Sequence, residues 1–123
     1  RLTVEYEKKR LKKKKMVSES KKVEQISSKF ANKGYDVESF SRKSDSPNLF
    51  IEVKSRKWDS TSFIISINEI NTAKRLGKRY AIYFWNNMGA DIKPKEPTKI
   101  IIDPFKKLSF GDCKNCLNFL LEI

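Results

Sequence analysis

The stretches Tyr35–Phe40 (YDVESF) and Leu49–Lys54 (LFIEVK) decide how this chain folds. Both alternate. In the first, Tyr35, Val37 and Ser39 fall on one side and Asp36, Glu38 and Phe40 on the other. In the second, Leu49, Ile51 and Val53 oppose Phe50, Glu52 and Lys54. Strand side chains project alternately to two faces, so each stretch reads as a β-strand. The polar segment Ser41–Asn48 between them contains Ser46-Pro47-Asn48, a turn signal, and the pair reads as an antiparallel hairpin. With the turn centred near Asp45, Asp36 lies roughly opposite Val53 and Lys54. Facing residues approach within about 5 Å and diagonal ones within about 8 Å. Asp36, Glu52 and Lys54 are therefore expected to converge on one patch.

Outward from the hairpin, Phe63–Ile67 (FIISI) reads as a further strand. Ser66-Ile67-Asn68-Glu69 matches a capping box, so a helix starts there and runs to about Leu76, where Gly77 stops it. Ile70, Ala73 and Leu76 supply its inner face. Arg79–Trp85 (RYAIYFW) and Lys99–Asp103 (KIIID) read as strands, separated by a loop over Asn86–Pro97. Cys113–Leu121 is expected to form a short terminal helix. Before the hairpin, Thr3–Met16 reads as a basic helix with a thin apolar stripe of Val4, Tyr6 and Leu11. Residues 17–33 fit a helix through Val23, Ile26 and Phe30, or a strand over Lys22–Ser27. The fold class is α/β or α+β, a mixed sheet with helices against it.

The length of 123 residues fits one domain, and no stretch approaches the roughly 20 apolar residues of a membrane span. The chain starts at Arg1 without an apolar leader, which reads as a piece of a longer protein. Lysine and arginine total 27 against 15 acidic residues, a net charge of +12. Such a surplus points to nucleic acid first and an anionic membrane surface second. The absence of histidine excludes Ser-His-Asp and Cys-His catalysis and histidine-ligated zinc. Cys113 and Cys116 form neither a disulfide framework nor a complete zinc site, and a reducing, cytoplasmic compartment fits them best.

The Asp36–Glu52–Lys54 patch has a chemical use. Two carboxylates offer hard oxygen ligands to Mg²⁺, which shares its shell with water and phosphate. The ion neutralises charge on the attacked phosphate and activates water, and a neighbouring lysine stabilises developing negative charge. The same Glu-Val-Lys pattern also fits an ordinary solvated strand face.

Gly34-Tyr35-Asp36-Val37-Glu38-Ser39, Ile51-Glu52-Val53-Lys54, Asn68-Glu69 and the Tyr80/Tyr83 strand follow one another in an order that resembles a known family. It is the bacterial domain family shared with the C-terminus of the plant NO VEIN protein, within the PD-(D/E)XK, restriction-endonuclease-like superfamily. The resemblance covers about Gly34 to Trp85. It implies a single α/β domain over residues 1–123 with core order αβββαβ, in which Lys22–Ser27 becomes a strand. It implies Mg²⁺- or Mn²⁺-dependent endonuclease activity on DNA, with Asp36, Glu52 and Lys54 catalytic and Asp36 and Glu52 binding metal. A first-helix glutamate, Glu5 or preferably Glu7, would join them at the metal. Such domains are appended to larger proteins, often restriction or phage-defence systems.

On that reading Ser55, Arg56 and Lys57 touch phosphates beside the cleaved bond, and Trp58 stacks on bases. A charged loop is the plainer account of the same residues. Lys12, Lys13, Lys14 and Lys15 belong to KKRLKKKK, seven basic residues in eight, and would contact the phosphate backbone or form a solvated helix face. Trp85 ends an apolar strand and is expected in the core. A homodimer is one way to cut both strands of a duplex. The competing functions are a nuclease-like fold that binds nucleic acid without cutting it, and a basic protein- or membrane-surface domain.

Overall fold

The structure, a computed structural model, describes residues 1–26, 33–107 and 118–122, the last as backbone. In chain order the elements are α1 (Leu2–Lys13), α2 (Val17–Ser20), β1 (Glu24–Gln25), β2 (Val37–Ser39), β3 (Leu49–Ser55), β4 (Ser62–Ser66), α3 (Ile67–Leu76), β5 (Tyr80–Trp85), β6 (Lys99–Ile102), α4 (Pro104–Lys107) and β7 (Asn118–Glu122). A single 3₁₀ turn, Gly77–Arg79, links α3 to β5.

Five strands form a mixed sheet in the order β1-β2-β3-β5-β6. β1/β2, β2/β3 and β5/β6 are antiparallel, while β3 and β5 are parallel. Parallel neighbours need a crossover, and β4 with α3 provides it. All six residues of β5 are buried, as a central strand covered on both faces requires. Over the main sheet the order αβββαβ holds, with Glu24–Gln25 as the short first strand. β4 stands outside this sheet and pairs antiparallel with β7.

The two sheet faces carry separate cores. One gathers Leu11 and Met16 with Val37, Ile51, Ala81, Tyr83 and Trp85. The other packs Ile70, Ala73 and Leu76 of α3 on Tyr80, Ile82, Phe84 and Ile101, with Phe63 and Ile65 of β4. Ser66 accepts from the Glu69 amide at 3.1 Å and Glu69 accepts from the Ser66 amide at 2.9 Å, so the expected capping box is present. Gly77 follows at φ 56°, a positive φ that glycine adopts without strain.

Two local expectations are corrected. The terminal helix over Cys113–Leu121 gives way to a strand over Asn118–Glu122, while Cys113 and Cys116 lie outside the described residues. A short apolar run has no fixed period of its own, and pairing with β4 decides its conformation. Phe40 leaves the Asp36/Glu38 face, because β2 ends at Ser39 and Phe40 turns into the α1-side core.

The thin apolar stripe of α1 also has a structural answer. Its buried positions are Thr3, Glu7 and Leu11, spaced one turn apart. Thr3 Oγ1 accepts from Trp85 Nε1 at 2.9 Å. Glu7 accepts from Ser39 Oγ at 2.7 Å, from Tyr83 Oη at 2.8 Å, and from Arg10 through both carboxylate oxygens. Polar contacts therefore dock this helix where leucines would be expected.

Candidate active site

The midpoint of the hairpin falls at Ser44, one residue before Asp45, which shifts each facing partner by two. Val37 faces Ile51, Glu38 faces Phe50 and Ser39 faces Leu49. Continuing that register sets Asp36 opposite Glu52, not opposite Val53 and Lys54. At Asp36 the regular ladder breaks. Its amide donates to the Ile51 carbonyl at 2.8 Å, and its Oδ2 accepts from the Val53 amide at 2.8 Å. Asp36 is thus clamped to β3 at two points. Gly34, two residues earlier at φ +83°, lies against α3, and a Cβ there would meet Thr72 Oγ1 at 2.1 Å. Tyr80 Oη donates to the Gly34 carbonyl at 2.7 Å and holds the same turn from β5.

Glu52 and Lys54 project to the α3 face, and this is no solvated strand edge. Glu52 is 5% exposed. Lys54 Nζ lies 3.2 Å from Glu52 and 2.8 Å from Glu69 Oε1. Burial, the hydrogen bond to Glu69 and the charge of Asp36 push the Glu52 carboxyl well above the ordinary carboxylate range, with Lys54 opposing. Burial also pushes Glu69 upward, but hydrogen bonds from Glu52, Lys54 and the Ser66 amide outweigh it and leave Glu69 low. Burial lowers Lys54, and the charges of Glu52 and Glu69 outweigh that and raise it. The proton therefore belongs on Glu52, shared toward an ionised Glu69, with Lys54 charged between them.

Asp36, Glu52 and Lys54 come together as the alternation implies, and Glu69 joins them from α3. The sequence reading gave Glu69 as a capping residue and, with Asn68, as part of the family resemblance, without a place in the site. Its place after Asn68 at the start of the helix that crosses this face was the available signal. Glu7 does not join them. Its partners Ser39 and Tyr83 belong to the opposite face, where Tyr83 pairs with Val53, neighbour of Glu52 and Lys54. Four donor contacts already satisfy its carboxylate, so Glu7 is corrected from a metal position to a helix anchor.

Of the expected contact residues, Ser55, Lys57 and Trp58 are exposed at or beyond the end of β3, and Arg56 is half-buried with its guanidinium 5.2 Å from the Phe63 ring centre. Lys12, Lys13, Lys14 and Lys15 are exposed at the end of α1, on the other side of the sheet from Glu52. Lys13 also lines a cleft of about 570 Å³ with Tyr6, Lys9, Arg10 and Lys95. That cleft is apart from the Asp36 cluster. Among the described residues no trio of acidic or cysteine side chains stands at metal-ligating spacing. Asp36 and Glu52 alone suit Mg²⁺, which commonly takes one or two carboxylates and completes its shell with water and phosphate. No helix among the described residues is long and apolar enough to cross a membrane.

Fold and site together define a mixed α/β domain with a carboxylate–lysine cluster on a central hairpin. The sequence model of the family described as Protein NO VEIN, C-terminal, matches residues 1–100. The chain belongs to that family. A solved structure of a nuclease from a fusselovirus is similar over 81% of this chain, with a TM-score of 0.46 and 16% identity. The match spans 65% of that chain's length. No curated protein sequence matches.

Proposed function

We propose that the Asp36–Glu52–Lys54 cluster hydrolyses phosphodiester bonds in DNA, with Mg²⁺ or Mn²⁺ as cofactor, in a larger protein of restriction or phage-defence type. The observation that carries this reading is the register-set meeting of Asp36 and Glu52 with Lys54 on one buried, α3-covered face. Asp36 and Glu52 would hold the ion. When bound, it would supply Lewis-acid stabilisation of the attacked phosphate. Lys54 is charged and held within hydrogen-bond reach of Glu52, so it can orient water and meet charge developing on the phosphate oxygens. Glu69 holds the Lys54 ammonium from the helix side. Ser55, Arg56, Lys57 and Trp58 continue from β3 and would guide the strand. The protein would work in a reducing cytoplasm, and two copies would be one route to double-strand cuts.

A binding module that does not cut is the second reading. It is favoured by the closed ion-pair cluster, in which Lys54 already bridges Glu52 and Glu69. Plasmid nicking separates the two. Cleavage in Mg²⁺ or Mn²⁺, abolished by EDTA and reduced at least about 100-fold by Lys54→Ala, is the expected result. Equal cutting by wild type and variant would sink the assignment.

The lysine run makes a separate prediction. Replacing Lys12, Lys13, Lys14 and Lys15 by glutamine should weaken DNA binding and flatten its salt dependence. Each lost phosphate contact removes about 0.9 from the slope of log K against log salt. An unchanged slope in a filter-binding titration would make the run a solvated helix face.

A further inference from the structure

Two tryptophans occupy opposite environments. Trp85 is 2% exposed and spends its indole N–H on Thr3. Trp58 is 69% exposed, four residues beyond Lys54 and three past the end of the strand that carries Glu52. Scattered exposed apolar side chains are ordinary on protein surfaces. What distinguishes Trp58 is how firmly its backbone is fixed. The Trp58 carbonyl accepts from the Asn87 amide at 3.3 Å. On one side Met88 and Gly89 donate to the Arg56 and Lys57 carbonyls at 3.0 and 2.8 Å. On the other, Asn86 Nδ2 donates to Asp59 Oδ1 at 3.0 Å and to the Ser60 carbonyl at 2.8 Å. Gly89 lies so close that a Cβ would meet the Lys57 carbonyl at 3.0 Å. A large aromatic ring is thus presented to solvent from a braced loop, beside two basic residues.

From this geometry we infer that Trp58 is a base-stacking platform and that the substrate beside the Asp36–Glu52–Lys54 cluster is single-stranded DNA. In a duplex both faces of each interior base are covered by its neighbours, so a fixed indole has nothing to stack on without unstacking a step. An unpaired strand offers a free π-face at every base. Four residues of chain span at most about 13 Å even when extended, which puts the stack within about four nucleotides of the bond to be cut. Lys57, exposed and next to Trp58 in the chain, would supply a cation for the backbone. The position of the cut bond rests on the proposed nuclease reading, whereas the stacking does not.

The test is binding in EDTA, followed by tryptophan fluorescence and by anisotropy of labelled oligonucleotides. A single-stranded DNA oligonucleotide should quench Trp58 emission, and a blunt duplex of equal length should not. Trp58→Ala should lose the quenching and bind the single strand about 5- to 150-fold more weakly. Its melting temperature and its duplex affinity should be unchanged. Trp58→Phe should restore most of the single-strand affinity. Quenching of equal size by duplex, or single-strand affinity unmoved by Trp58→Ala, would overturn the inference. Plasmid nicking without single-strand quenching removes the platform and leaves the nuclease. Single-strand quenching with no cleavage of that oligonucleotide or of plasmid in Mg²⁺ keeps the platform and removes the nuclease.

Discussion

Glu52→Gln is expected to raise the melting temperature of the metal-free protein and, on the proposed nuclease reading, to reduce cleavage by about 1000-fold. Glu52 is buried against a second carboxylate, Glu69, with Asp36 close by and one ammonium, Lys54, to balance them. Ionising it there costs free energy, which is why its carboxyl is pushed up. An acid raised in the folded state takes up a proton on folding. Stability from this group is therefore full below the unfolded value near 4.3 and declines as pH rises through the folded one. Glutamine matches the shape, keeps a donor for Glu69, leaves Lys54 paired with Glu69, and cannot ionise. At pH 7 it should gain about 1–2 kcal/mol, or roughly 3–8 °C in melting temperature. The gain should vanish toward pH 4. On the proposed nuclease reading the same change replaces one of the two carboxylates that would hold the cation by a neutral amide, so Mg²⁺ should raise the melting temperature of wild type and not of the variant. Thermal scans at pH 4.5 and 7, with and without Mg²⁺, check all of this. A variant that melts lower than wild type at pH 7, or is stabilised equally by Mg²⁺, would contradict it.

The fold was legible wherever local pattern and tertiary demand agree. The hairpin could be read because alternation at Tyr35–Phe40 and Leu49–Lys54 brackets a turn, and α3 because its cap and its glycine stop are both written in the chain. The turn midpoint falls one residue earlier than the loop suggests, which moves the partner of Asp36 from Val53 and Lys54 to Glu52, since a polar loop does not mark its own midpoint. β7 was read as a helix because Leu117–Leu121 lacks any period that excludes one, and its partner β4 is more than fifty positions away. Within the site, the convergence of Asp36, Glu52 and Lys54 was accessible from strand periodicity, and their catalytic reading from the family resemblance. Glu69 was not, because a capping glutamate explains itself locally and its second contact, to Lys54, exists only once the helix lies across the sheet. Glu7 shows the converse. A glutamate on a basic helix has the right chemistry for a metal, and only the sheet face that receives α1 decides against it.

Glu7→Ala should destabilise the protein by about 3–5 kcal/mol, a cost of more than 10 °C in melting temperature for a chain of this size. Glu7 is fully buried, and its carboxylate gathers the Ser39 hydroxyl, the Tyr83 phenol and the Arg10 guanidinium. Removing it strands two buried hydroxyls. It also leaves Arg10 with only the Phe40 carbonyl, to which it already donates. Leu11 is the single apolar residue among the fully buried positions of α1, so once this network fails only Leu11 and the partly buried Leu2, Val4 and Tyr6 hold the helix. Glu7→Gln separates an anchor from a metal ligand. The amide keeps the shape and accepts from Ser39 or Tyr83 through its oxygen, but it loses the charge that pairs with Arg10. The protein should melt lower, yet below its new midpoint it should nick plasmid at close to the wild-type rate with the same Mg²⁺ dependence. A ligand would behave in the opposite way, with stability kept and the Mg²⁺ requirement raised or cleavage lost. Measuring melting temperature and Mg²⁺-dependent nicking on the same preparation decides between them, because the anchor acts on the first quantity and a ligand on the second.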